Sequence, residues 1–339
     1  MIFASAVTAK YAEHSLWVSA LINLALDGII IYFALLIGEK FPNKTLFEIF
    51  SLNLGKFFAK FIFVLFAVLF FLKAYIPINE QKFFVEISLY ETFPKIITFM
   101  PFFVFSAYLS YKGLKGVARC SDVMVYLTVI SISALIGLSM TNADLTKLLP
   151  IFNGVSFKKI AEGSFKSGIW YFDGLYALMM VGRYRKEKLY KTKIISEFCL
   201  SALLAISFMI FLYAEYGALT ERQYFAPVKI GLLAVALLNV GRIDFIAALV
   251  LTCSNVFATA LPLLFSSYCI MEVFGIKNSK ATSISVNLAM AVCLLLLKDS
   301  FMKIFQIFQN FYAFLPLFMI VVILFVLFFF KKGSVKNEK

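Results

Sequence analysis

Residues 14–38 read HSLWVSALINLALDGIIIYFALLIG, and apart from His14 the only ionisable carboxylate or basic group among them is Asp27. At 1.5 Å per residue, a helix of this length crosses the ~30 Å hydrocarbon layer of a bilayer with residues to spare. It has no polar face wide enough to meet water, so the run is predicted to span a membrane. The rest of the chain has the same texture. Of its 339 residues, 62% are hydrophobic, 17% aromatic and 15% charged, whereas average soluble chains carry roughly 25% charged residues. Further apolar runs at 56–86, 94–112, 117–140, 161–182, 189–216, 241–272, 281–297 and 304–330 bring the expected full spans to nine. The piece YFAPVKIGLLAVALLN at 224–239 contains Pro227 and Lys229 and is expected to lie on, or dip into, the outer surface. These runs leave no length for a separate soluble domain.

The chain holds 32 Lys and Arg against 19 Asp and Glu, a net charge of +13. In a polytopic membrane protein such an excess belongs to cytoplasmic loops, which makes nucleic acid a poor explanation for it. The densest cluster, six basic residues between Arg183 and Lys193, sets the orientation. Together with it, the 39–60 region, Lys112–Arg119, Lys277–Lys280 and the basic tail 332–339 are expected inside, and 142–159 outside. Cys120, Cys199, Cys253, Cys269 and Cys293 show no C-x-x-C spacing and lie in apolar stretches, as small buried residues do. The sequence has one histidine, His14, and no nucleophile–base pair, metal-ligand cluster or phosphate loop. No enzyme activity, metal or other cofactor is therefore expected.

With the C-terminus inside, nine spans put the N-terminus outside, yet MIFASAVTAK at 1–10 is neither a signal peptide nor a whole span. The apolar piece before Lys10 reads as the outer half of a first helix whose inner half lies upstream of Met1. DNA upstream of the start is expected to encode that half in frame. Restoring it gives ten helices and two cytoplasmic termini.

The stretch EGSFKSGIWYFDG at 162–174 interleaves Gly163, Gly168 and Gly174 with Ser164 and Ser167. This composition disfavours an unbroken helix, although small residues also let membrane helices pack closely. Lys166 lies inside the stretch and Asp173 follows seven residues later, nominally on the same face. Ionisable groups at membrane depth cost about 2.5–3.5 kcal/mol on insertion scales, so both are candidate ligand contacts. A carboxylate would meet Lys166 and the free N–H groups of the second half-helix, and Asp173 would attract an amine. The alternatives are that Lys166 snorkels to the outer interface and that Asp173 caps a packed helix. Asp27, with Asn23 one turn earlier, is either a proton or ligand switch or a hydrogen-bonded contact between helices. TCSN at 252–255 and Thr259 set small polar groups at helical spacing, to line a site or to bond across helices.

Several elements together resemble one family. FPNKTLFEIFSLNLGK at 41–56 is similar to the FP, TL, E and LGK signature after the second helix of spore-germination permeases of the GerAB type, the B subunits of germinant receptors. KGLKGVARCSD at 112–122, LLPIFNGV at 148–155 and GRIDFIAAL at 241–249 resemble further motifs of that family, in order and spacing. Asp173 stands where the family often carries Glu. The departures are the missing inner half of helix one and the lack of a proline that usually follows the Arg119–Asp122 element.

That family belongs to the amino acid, polyamine and organocation superfamily. The resemblance therefore implies an all-α integral membrane fold of about ten transmembrane helices in two inverted five-helix repeats (LeuT-like), with the first helix incomplete. The repeats would occupy 1–141 and 142–331, each opening with a discontinuous helix and placing substrate near the midplane. The ligand-binding residues implied are Ser5 and Thr8 in the first helix, Tyr75 in the third, Ser164, Lys166, Ser167, Gly168, Tyr171 and Asp173 in the sixth, and Ser254, Asn255 and Thr259 in the eighth. Asp27 and Asp173 are the intramembrane ionisable residues. The resemblance further implies a germinant-sensing subunit of the spore inner membrane. It would bind a small germinant such as an amino acid and work with an A-type membrane subunit and a C-type lipoprotein. An autonomous secondary transporter of amino acids or amines, coupled to H+ or Na+, has the same fold and is the alternative.

Overall fold

A computed structural model describes residues 3–88, 95–140, 142–149, 156–183, 189–224, 228, 230, 244–297, 301–312 and 314–330. Every regular element among the described residues is helical. Among the described residues, six helical stretches are long and apolar enough to cross a membrane: Ala4–Lys40, Lys56–Glu86, Met100–Met140, Tyr190–Arg222, Leu251–Phe274 and Ser279–Leu296. Helices α1 (Ala4–Ala12) and α2 (Leu16–Lys40) meet at a 3-10 turn, where Glu13 takes φ 49°. Helix α3 (Leu46–Leu54) opens with a reciprocal cap: the Glu48 N–H donates to the Thr45 hydroxyl at 3.3 Å, and the Thr45 N–H donates to the Glu48 carboxylate at 2.8 Å. Such a box satisfies two amides that the first turn leaves without partners.

Helix α4 (Lys56–Ser88) shows why the apolar runs fold as they do. Ala59, Phe63, Phe66, Phe70 and Ala74 are buried, whereas Phe57, Phe61, Val64, Leu65 and Val68 are exposed. Both sets recur every three or four residues, so one stripe faces protein and the other is apolar surface suited to lipid. Helix α5 (Lys95–Met140) contains both of the spans expected at 94–112 and 117–140, divided at Gly113, where φ 76° and ψ −175° leave the helical region. Its first arm meets the later chain through Ser110 and Ser283 (3.3 Å), its second through Ser139, whose hydroxyl donates to Glu215 at 2.5 Å.

The span expected at 161–182 is interrupted where its glycines and serines predict, giving α6 (Phe157–Ser167) and α7 (Gly174–Met179). After α8 (Tyr190–Tyr216), α9 (Asp244–Phe274) and α10 (Ser279–Leu296), the span expected at 304–330 is also divided, into α11 (Phe301–Tyr312) and α12 (Leu315–Phe329). Pro316 accounts for this, because it lacks the N–H that a continuous helix would need and suits the first turn of a new one. Of the surface piece at 224–239, only Tyr224, Val228 and Ile230 are among the described residues. Most of LLPIFNGV, the start of GRIDFIAAL, residues 184–188 and the tail lie outside them.

Helices α4, α5 and α9 form the centre, with the Ser266 hydroxyl of α9 donating to the Ala67 carbonyl of α4 at 2.9 Å. Helix α2 packs on α6, α7, α8 and α12. At one end of the molecule Lys191 pairs with Glu39 at 2.5 Å and the Lys40 ammonium donates to the Leu327 carbonyl. At the other, Lys159 pairs with Glu13 at 2.7 Å and the Asp144 N–H donates to the Ala214 carbonyl at 3.0 Å.

Candidate functional site

The chain leaves its helical path between α6 and α7. Gly168–Trp170 makes a single 3-10 turn, Tyr171 is extended (φ −100°, ψ −157°), and Phe172 takes φ 59° although it is not glycine. The Phe172 side chain is buried, so packing holds a backbone conformation that L-residues rarely adopt. Buried amides and carbonyls released from a helix must find other partners. Here they find them on α2 and α4.

Ser19, Asn23 and Asp27 lie four residues apart on one face of α2, and each bonds a successive part of the broken helix. The Ser19 hydroxyl donates to the Ile160 carbonyl at 2.8 Å. The Asn23 amide donates to the Ser164 carbonyl (3.0 Å) and the Ser167 hydroxyl (3.1 Å), and its oxygen accepts from the Ser164 hydroxyl at 2.7 Å. Asp27 accepts from the N–H groups of Asp173 (3.2 Å) and Gly174 (2.6 Å). Two glycines permit this approach. A Cβ on Gly163 would lie 2.9 Å from the Ala12 methyl, and one on Gly174 would lie 2.7 Å from Asp27 Oδ1.

The opposite side of the break is held by α4. The buried Lys73 ammonium donates to the Tyr171 carbonyl at 2.8 Å and pairs with Asp173 Oδ1 at 2.8 Å. It also lies 5.0 Å from the centroid of the Tyr176 ring, which packs against both Phe70 and Phe265 in a three-ring cluster. Further along α4, Glu80 accepts from the Trp170 indole, and Gln81 donates to the Thr252 hydroxyl at 2.9 Å and accepts from Asn255 at 3.2 Å. Asp27 and Lys73 are almost fully buried, but the Asp173 side chain is 53% exposed. Asp173 is therefore the member of the cluster that reaches the surface of the fold.

Of the residues singled out from sequence, Asp27, Ser164, Ser167, Gly168, Tyr171 and Asp173 come together at this break. Lys166 does not join them; it reaches away to Asn310 on α11. Its spacing of seven from Asp173 would share a face only on a continuous helix, and α6 stops at Ser167. The N–H groups expected to receive a ligand carboxylate are those that donate to Asp27. Beside Gly168 stands the Phe172 ring, 2.9 Å from where a Cβ would lie. Asn255 bonds Gln81, Thr259 bonds the Asn255 carbonyl at 2.9 Å, and Ser254 faces Thr128 at 3.5 Å. Tyr75 is buried against Phe301, with ring centroids 6.1 Å apart. Ser5 and Thr8 are buried in α1, which packs on α6. Lys73, Glu80 and Gln81 were not anticipated, since α4 reads as an aromatic-rich apolar helix. The signal was KAYIPINEQK at 73–82, a polar run entering an apolar span.

A family model described as spore germination protein matches residues 1–302. No curated protein matches the chain. Because the match takes in α2, α4, the broken helix and α9, and so every side chain of the cluster, the chain belongs to the family of spore germination proteins.

Proposed function

We propose that this membrane protein of the germination family is a germinant-sensing, permease-like subunit that binds a small germinant, an amino acid, within the membrane. The observation that supports this most is the break between α6 and α7, where released backbone groups and the half-exposed Asp173 meet Lys73 and Asp27. Protein interiors keep ionisable groups at membrane depth for substrate and ion handling, and transporter-like folds place sites at discontinuous helices. On this reading the helices form two inverted five-helix repeats around the break. The subunit resides in the spore inner membrane and acts with an A-type membrane subunit and a C-type lipoprotein.

The test is germination of a strain lacking the gene against a panel of amino acids, sugars and bile salts. Loss of the response to at least one amino acid is expected. The wild-type gene should restore it, and an Asp173→Asn gene expressed to the same level should not. Unchanged responses across the panel would overturn the receptor reading. A charged cluster that reaches the surface of the fold also suits coupled transport, which is the second reading. Uptake of a labelled amino acid by cells expressing this chain alone, without the partner subunits, would favour it.

A further inference from the structure

An alkylammonium ion has three N–H donors, and the surroundings of Lys73 match them with unlike groups. These are a carbonyl released from a helix (Tyr171, 2.8 Å), a carboxylate (Asp173, 2.8 Å) and an aromatic face (Tyr176, 5.0 Å to the centroid). Hydrogen bond, charge and cation–π attraction then act on one nitrogen. A bare metal ion suits the place less well. Hard cations gather about six to eight oxygens, and no group of three His, Cys, Asp or Glu able to hold a metal occurs among the described residues. The Tyr176 ring is held against Phe70 and Phe265, at centroid distances of 5.8 and 5.7 Å. The three groups face each other only while the helix stays broken between Ser167 and Gly174. The carboxylate among them is the part that is exposed.

We propose that the Tyr171 carbonyl, the Asp173 carboxylate and the Tyr176 ring form a primary-ammonium site that Lys73 fills in this structure, and that an amino acid enters by exchange. Its ammonium takes this site and its carboxylate pairs with the displaced Lys73. The exchange rests on the receptor reading above; the ammonium site does not. A simple amine would leave Lys73 buried and unpaired, which is costly, whereas an amino acid brings the partner that Lys73 loses. Selection for a molecule carrying both charges follows. So does a signal, because the exchange cuts the Lys73 tie from α4 to the break and leaves only that of Glu80 to Trp170 among those described above.

The site is tested with purified full-length protein by thermal unfolding. Lys73→Ala should lower the melting temperature, and millimolar ethylammonium chloride should raise it again, with no such rise from sodium chloride or ethanol and none in wild type. If Lys73→Ala does not accumulate, Lys73→Cys is coupled to aminoethyl or to ethyl methanethiosulfonate. Only the charged adduct should restore stability. Equal effects of ethylammonium and ethanol, or of the two adducts, would overturn the site. In spores, Lys73→Ala should weaken the response to the amino acid by about tenfold or more, and its decarboxylated amine should become the better ligand. An unchanged preference would overturn the exchange. Selective rescue in vitro with no amino acid response from wild-type spores would leave the site standing and remove the receptor reading. Wild-type response without rescue would do the reverse.

Discussion

A methyl group at Gly174 would stand 2.7 Å from Asp27 Oδ1, 3.0 Å from the Asp27 carbonyl and 3.1 Å from Ile30. Two of those neighbours belong to Asp27 itself, which is tied to this segment, so relaxation is limited. Gly174→Ala is predicted to cost about 1–3 kcal/mol by overpacking. Gly137→Ala, with nothing within 4 Å, should be neutral or gain up to about 1 kcal/mol from helix propensity. Thermal unfolding of the two variants side by side checks both. Asp27→Leu would leave two buried amides without an acceptor, at about 1–3 kcal/mol each; Asp27→Asn, which keeps one acceptor oxygen, should melt closer to wild type. At this scale the sequence was informative wherever small residues or a lone charge interrupted an apolar run, as at Gly163, Gly174 and Asp27. It was least informative for Lys73, because direction is a tertiary property. Nothing in the spacing of α4 says that this one lysine turns inward to a carbonyl 98 residues later in the chain.

Gly55 and Gly182 separate two effects at element boundaries. Both have positive φ, 85° and 80°, but a Cβ at Gly55 meets nothing within 4 Å, while one at Gly182 would lie 2.2 Å from the Lys44 carbonyl oxygen. Gly55→Ala is expected to bear only the conformational penalty of about 1–2 kcal/mol. Gly182→Ala should also force the end of the α7 segment off the loop before α3 and lower the amount of folded protein recovered from membranes. Recovery of both variants at the same level would mean that this contact gives way easily. The cap of α3 offers a milder probe, since Thr45→Ala should cost about 1 kcal/mol and Thr45→Ser much less. Among elements, the break at 162–174 could be read from its glycines and serines. The division of 304–330 at Pro316 could not be read from hydropathy, which measures how apolar a run is and not whether its axis is continuous, whereas the two runs 94–112 and 117–140 do part at Gly113.

For the molecule as a whole, the two ends are defined by contacts: Lys44, Arg183 and Lys191 cluster near the ends of α2 and α12, and Asp144, Lys147 and Lys159 near Glu13 and the end of α8. Single cysteines at Lys44 and Lys191, in a background without native cysteines, are predicted to react with an impermeant reagent only from the cytoplasmic side. Cysteines at Lys147 and Lys159 should react only from outside. Labelling of all four from one side would break the traverse that the helices describe. Membrane character and the nearness of the basic stretches around Lys44 and from Arg183 to Lys191 were legible because both follow from composition along the chain. The central polar cluster was only half legible, since it is assembled from segments that hydropathy treats as equivalent. One contact also bears on the order in which the protein is made. Lys40 donates to the carbonyl of Leu327, and Phe50 packs edge-on against Phe330 with centroids 5.8 Å apart. As the chain leaves the ribosome in sequence, the cation at the end of α2 waits for a partner that follows it by 287 residues. The bundle therefore cannot close along α2 until α12 has been made. A nascent chain arrested before α12 would present an open seam along α2, the place where an insertion chaperone or a quality-control protease would find it unfinished.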